Sequence, residues 1–242
     1  MSSWVVKEEV RDIFPDLHAA VSAPGEEING NWMSRLVRCQ KGDNYYYIKT
    51  YTRRGRWLRR FIGRSRTRAE WENLQAFVAM GLPAADLVAY GESGIGERYR
   101  GTLITKEVEG TLDLATLAEN RHSLLADRQW RLQIIDRLAR AVRKMHAFRF
   151  VHNDLKWRNL LVNVTDAPTV HFIDCPLGRK MPWPFLVRGR IKDLACLDKI
   201  AKKQLSQMER LRFYLAYKGK TRLSANDKKE IYRVLCFFEG RE

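Results

Sequence analysis

The spacing of apolar residues changes near Glu109-Gly110, and this change limits the fold more than any other feature of the chain. Upstream, residues 34–39 and 45–51 read as two strands. Lys41-Gly42-Asp43-Asn44 between them is a turn signal, so a hairpin is predicted. Residues 87–90 and 102–108 read as two further strands. Residues 67–80 carry Trp71, Leu74, Phe77 and Val78 at helical spacing, and Gly81 and Pro83 stop that helix. Downstream, residues 124–149 set Leu125, Trp130, Leu132, Ile135, Leu138, Ala139, Val142 and Met145 along one long amphipathic helix. Two short apolar runs, 160–164 and 170–173, flank a turn at Asp166-Ala167-Pro168. After a Pro-rich loop at 182–184 the sequence again reads as helical. The expectation is an α+β chain in two parts. Residues 1–109 form a small antiparallel sheet with one helix, and residues 110–242 form a mainly helical lobe.

A chain of 242 residues with 45% hydrophobic composition can bury a core in one domain or two joined lobes. Its net charge of +16 favours anionic partners, whether nucleic acid, membrane surface or substrate. Cys39, Cys175, Cys196 and Cys236 are widely spaced and form no Cys-x-x-Cys pair, which fits a reducing compartment and implies no disulfide or zinc framework. The opening Met1-Ser2-Ser3-Trp4 has no basic segment followed by an apolar one, so no secretory signal is expected. No window approaches the roughly 20 apolar residues of a membrane span. A cytoplasmic protein, free or peripheral on a membrane, is expected.

Chemistry concentrates in His152-Asn153-Asp154-Leu155-Lys156-Trp157-Arg158-Asn159. The spacing His-x-Asp-x-x-x-x-Asn is that of the protein-kinase catalytic loop. Phosphoryl transfer needs metal ligands, a cation on the phosphates and a carboxylate beside the attacking hydroxyl. Asp154 suits the role of base, Asn159 that of magnesium ligand, and Lys156 can reach the transferring phosphate. The apolar Leu160-Leu161-Val162 follows directly, as a strand should. Twenty residues after Asp154, Asp174 ends the run His171-Phe172-Ile173, where a second magnesium ligand belongs. Upstream, Lys49 lies inside the strand Tyr45-Tyr46-Tyr47-Ile48-Lys49. In a kinase such a lysine contacts the α- and β-phosphates and pairs with a glutamate of the next helix. Glu70 shares a face with Leu74 and Phe77 at i+4 and i+7, whereas the competitor Glu72 has Gln75 and Ala76 as neighbours. Glu70 is therefore preferred. His146, closing the long helix, reads as a packing and capping residue.

These residues together resemble the lipopolysaccharide core kinases, the Kdo and heptose kinase family of Gram-negative bacteria. The resemblance is carried by Tyr47-Ile48-Lys49, Arg68-Ala69-Glu70-Trp71-Glu72-Asn73-Leu74, Gly81-Leu82-Pro83, Val151-His152-Asn153-Asp154, Phe172-Ile173-Asp174-Cys175 and Lys192-Asp193-Leu194-Ala195, over about residues 30 to 218. It implies a two-lobed kinase-like fold, ATP with Mg2+, and a lipid-linked core sugar as acceptor. It also implies that Asp193 is a buried brace of the catalytic loop. The chain departs from protein kinases in three ways. It has no G-x-G-x-x-G, and only Pro24-Gly25 to Gly30-Asn31 could cover phosphates. Asp174 is followed by Cys175-Pro176, and proline fixes φ and lacks an N–H, so the metal loop is expected to hold one state. No Ala-Pro-Glu closes the activation segment, which favours a small or lipid-linked acceptor over a peptide.

Residues 53–68, from Arg53 to Arg68, contain no acid. Trp57, Leu58, Phe61 and Ile62 share one helical face opposite arginines, a pattern suited to an anionic membrane surface or to anionic sugars. RNA fits less well, and no nucleic-acid partner is expected. Two alternatives keep the fold: a kinase acting on another small molecule or a protein, and a non-catalytic basic pseudokinase that binds membrane or RNA.

Overall fold

A computed structural model describes residues 3–54, 63–94 and 96–240, without the side chain of Glu97. The apolar face expected at Trp57, Leu58, Phe61 and Ile62 lies outside the described residues. The chain divides into two compact units, Met1–Ala76 with Ala85–Val108, and Phe77–Ala84 with Glu109–Glu242. The four cysteines are free.

The first unit is built on a six-stranded antiparallel sheet. Its strands are β1 (Ser3–Val6), β2 (Glu26–Gly30), β3 (Ser34–Lys41), β4 (Asn44–Tyr51), β5 (Asp86–Ser93) and β6 (Arg100–Lys106), in the order β1-β5-β6-β4-β3-β2. The hairpin of β3 and β4 turns at Gly42-Asp43 and pairs Leu36 with Lys49. On its other side Lys49 faces Leu103 of β6, so Lys49 sits on a central strand. Strand alternation sends Tyr46 and Ile48 to one face. There they join Val10, Phe14 and Ala20 in a buried cluster, with helix α1 (Leu17–Val21) covering the sheet. Helix α2 (Arg66–Ala79) begins where Ser65 Oγ accepts the Arg68 N–H at 3.0 Å. It ends in a Schellman turn: Gly81 at φ +63° donates to the Val78 carbonyl, and Leu82 donates to that of Phe77. The stretch Pro24-Gly25 to Gly30-Asn31 is largely strand β2, which pairs with β3 across a bulge.

The second unit is mainly helical. Strand β7 (Thr111–Asp113) leads into helix α3 (Leu114–Glu119). The single helix expected over 124–149 is instead α4 (Ser123–Ala126) and α5 (Arg128–Ala147). Asp127 separates them, since its carboxylate accepts the N–H groups of Gln129 and Trp130 and caps α5. The buried face of α5 carries Trp130, Ile134, Ile135, Leu138, Val142 and Met145. Strand β8 (Phe150–Val151) precedes the candidate catalytic loop, residues 152–159, whose last residues form a 3-10 turn, Trp157–Asn159. Strands β9 (Leu160–Asn163) and β10 (Val170–Phe172) form a hairpin that β7 extends to three strands. Strand β11 (Arg179–Lys180) pairs back onto β8. Helices α6 (Phe185–Gln204), α7 (Gln207–Lys218) and α8 (Ala225–Leu235) complete the unit.

Candidate active site

In the first unit, Lys49 projects from β4 to Glu70 on α2. Its Nζ lies 3.0 Å from Oε2 and 3.1 Å from Oε1. Tyr51, two residues along the same face of β4, donates its hydroxyl to Glu70 Oε2 at 2.6 Å. Glu70 is 4% exposed at its side chain and Lys49 17%, so water screens this pair little. Leu74 and Phe77 on the same helical face are buried, which is why a carboxylate on that face turns inward. Glu72 points elsewhere: Arg64 and Arg68 bind its two oxygens at 2.9 and 2.7 Å. Those two arginines, at the end of the basic run, are thus ion-paired to Glu72 of α2.

In the second unit, the candidate catalytic loop is held by a buried carboxylate. Asp193, on the buried face of α6, is fully enclosed. Its Oδ2 accepts the His152 N–H and its Oδ1 the Asn153 N–H, both at 2.8 Å. Oδ2 also lies 3.2 Å from His146 Nε2 on α5, and His146 Nδ1 lies 2.9 Å from the Tyr217 hydroxyl on α7. An ionised Asp193 only accepts, so Nε2 carries the proton of this contact. His146 therefore connects α5, α6 and α7 as well as packing among them, a role that no local spacing signals. Asn153 takes φ +65°, a conformation asparagine adopts more readily than most residues. The His152 ring is completely buried and stacks at 6.0 Å on Phe77. Burial lowers its pKa, outweighing the attraction of Asp193, Asp174 and Asp154.

Asp154 follows directly. Lys156 Nζ lies 2.7 Å from its Oδ1, and Arg158 lies 3.8 Å from its Oδ2. Asn159 donates from Nδ2 to the Asp154 carbonyl at 2.8 Å, which leaves Oδ1 of that buried amide as its acceptor atom. The β9–β10 register carries Asp174 next to it, because Ile173 N–H bonds the Asn159 carbonyl at 3.1 Å. Asp174 sits at φ +52°. Left-handed backbone at a non-glycine residue costs energy and is common at functional loops. Behind it, Cys175 is buried with its thiol 3.9 Å from the His152 carbonyl, and Gly178 packs where a Cβ would collide with Cys175 and Phe150. Asn153 Nδ2 donates to the Leu177 carbonyl at 3.0 Å, tying the segment after Asp174 to the catalytic loop.

One carboxylate and one amide oxygen are hard donors. They suit Mg2+, which takes one or two protein ligands and completes its shell with water and phosphate oxygens. Among the described residues no group of three or more His, Cys, Asp or Glu forms a metal cage, so a soft-metal or all-protein site has no candidate there.

The sequence profile of the lipopolysaccharide kinase (Kdo/WaaP) family matches residues 18–217. The chain belongs to this family. This lipopolysaccharide kinase relative also shares a fold with a solved structure described as WaaP in complex with acyl carrier protein. The TM-score is 0.77 at 22% identity, over 98% of this chain and 96% of that one. No curated protein sequence matches it. The kinase-like fold of the Kdo/WaaP member is thus the one its motifs imply.

Proposed function

We propose that the protein transfers the γ-phosphoryl group of ATP to a sugar hydroxyl, on heptose or Kdo, of the lipopolysaccharide inner core. The observation that carries this reading is the catalytic loop of a Kdo/WaaP family member. Asp154 and Asn159 are bonded to each other there and braced by the buried Asp193. Asp154 accepts the proton of the acceptor hydroxyl as its oxygen bonds to the γ-phosphorus and the bond to the β-phosphate oxygen breaks, releasing ADP. Lys156, ion-paired to Asp154, moves onto the transferring phosphoryl group as charge builds there. Lys49, oriented by Glu70, binds the α- and β-phosphates. Asn159 and Asp174 would hold Mg2+, which supplies charge neutralisation on the phosphate oxygens.

The acceptor is lipid-linked, so the protein works in the cytoplasm, on the cytoplasmic face of the inner membrane. The Arg53–Arg68 segment is one candidate contact with that surface. No described helix is long and apolar enough to cross it. Phosphate transfer to isolated core lipid, followed by mass spectrometry of the core oligosaccharide, tests the reading. Transfer is expected with the wild type and lost in Asp154→Ala and Asp174→Ala. Equal transfer in both variants, or transfer to a generic protein substrate alone, would refute it.

A carrier-protein partner is a second reading. The second unit holds a partly open apolar cavity of about 550 Å³ between α5, α6, α7 and α8, lined by Trp130, Ile134, Leu197, Leu211, Ile231 and Val234 among others. The WaaP structure is a complex with acyl carrier protein. A cavity of this kind suits an acyl chain. Co-purification of an acylated carrier protein with the wild type, lost in Leu211→Trp, is the expected result. Equal recovery with the variant would count against it.

A further inference from the structure

We infer that the exposed aromatic and basic surface around the β8–β11 pair docks on an anionic phospholipid bilayer. The inference rests on the reading of a lipid-linked acceptor, and concerns residues other than those of the Arg53–Arg68 segment. Trp183 is 77% exposed, Phe185 65% and Phe148 48%. Large apolar side chains grouped in water mark interaction sites. The topology groups these three. Lys180 of β11 lies opposite Phe150 of β8, and Met181 N–H bonds the Arg149 carbonyl at 2.9 Å. Phe148 is then one residue from the end of this ladder and Trp183 two residues from it. Phe185 opens α6, and Arg188, three residues on, shares its helical face.

The charge around these rings has one sign. Arg149, Arg179, Lys180 and Arg188 are exposed, and residues 175–192 contain no Asp or Glu. Among the described residues none of the four is ion-paired. Cations of one sign, unopposed by any acid over residues 175–192 and set beside exposed rings, complement the uniformly negative headgroup layer of an anionic bilayer. Trp and Phe settle at the headgroup level of a bilayer, while Arg and Lys bind anionic headgroups. The surface is also tied to the chemistry. The Leu177 carbonyl accepts the Asn153 amide, and Asp154 is the next residue. A bilayer bound here would hold a lipid-anchored sugar on the side of the catalytic loop.

Co-sedimentation of the full chain with vesicles of phosphatidylethanolamine and phosphatidylglycerol tests this, with phosphatidylcholine vesicles as the neutral comparison. Trp183→Ser with Phe185→Ser, and separately Arg179→Glu with Lys180→Glu, are each expected to weaken binding to the anionic vesicles by about tenfold or more. High salt should weaken wild-type binding. Trp183→Phe keeps the apolar bulk, so it should bind normally but lose part of the fluorescence quenching by brominated lipid. Circular dichroism should find all variants folded, since every changed side chain is exposed. Unchanged vesicle binding in both double variants overturns the proposal. So does a concentration-dependent dimer, or an RNA complex, that these variants abolish while vesicle binding persists. Phosphate transfer to delipidated core oligosaccharide separates the two readings. It should be unaffected in Trp183→Ser/Phe185→Ser, and its absence from the wild type would count against the kinase reading while leaving vesicle binding to stand.

Discussion

Charges inside the protein are held by partners drawn from different elements. Glu70 has Lys49 and Tyr51, and Asp193 has two backbone N–H groups and His146. Removing one member of a buried pair costs more than the pair contributes, because the remaining charge stays out of water. Glu70→Ala is expected to lower unfolding free energy by about 3 kcal/mol in urea titrations. Asp154 has a quarter of its side chain in water, so Asp154→Asn should leave the melting temperature nearly unchanged. Its effect belongs to the transition state: phosphate transfer should fall by about 10²–10⁴-fold. His152 offers a pH test. Its folded pKa lies below the ordinary value of 6.5, so the unfolded chain binds the extra proton. The stability from keeping it neutral is complete above pH 6.5 and is lost as pH falls below that value. NMR of labelled histidine should find this ring still neutral at a pH where exposed imidazoles are charged.

At the scale of elements, helix ends position the site. α2 must stop at Ala79, and it does so through Gly81 in a left-handed conformation. A Cβ there would meet only the Lys144 ammonium, the end of a long side chain that donates to the Gly81 carbonyl and can shift, so Gly81→Ala should cost mainly the backbone term, about 1–2 kcal/mol. α5 must start afresh at Arg128 to present Met145 and His146 inward, and Asp127→Ala should cost about 1 kcal/mol by loss of its cap. Thermal melts of both variants check these values. The break at Asp127 is hard to see in the sequence because the apolar spacing runs on through it. Capping signals compete with periodicity there, and the carboxylate wins by satisfying two N–H groups that otherwise lack partners.

For the whole molecule, net charge and nucleotide binding set what is measurable. A ligand that binds only the folded chain stabilises it by mass action, about 2.7 kcal/mol at a hundredfold excess over Kd. ATP with Mg2+ should therefore raise the melting temperature, and Asp174→Asn should abolish the part that requires the metal. A shift that survives Asp174→Asn undiminished would remove Asp174 from the metal site. With a net charge of +16, binding to any anionic surface should weaken steeply with salt.

The sequence by itself determined the central elements and nominated the candidate site residues. The β3–β4 hairpin, helix α2 and the β9–β10 hairpin follow from local periodicity and turn residues. The catalytic loop follows from spacing within eight residues. Glu70 could be preferred to Glu72 because one helical face is apolar. Short strands such as β1, β8 and β11 lack enough residues for a period to register, and β-pairing between distant segments supplies their bonds. The family resemblance already implied Asp193 as the brace of the loop, and only tertiary structure decided which groups hold it there. Asp193, His146 and Tyr217 lie 40 to 71 residues from their partners. A carboxylate buried at that point is tolerable because the loop brings two N–H donors and α5 brings His146, itself held by Tyr217 of α7. No local pattern records such an assembly, since its energy exists only once the chain has folded.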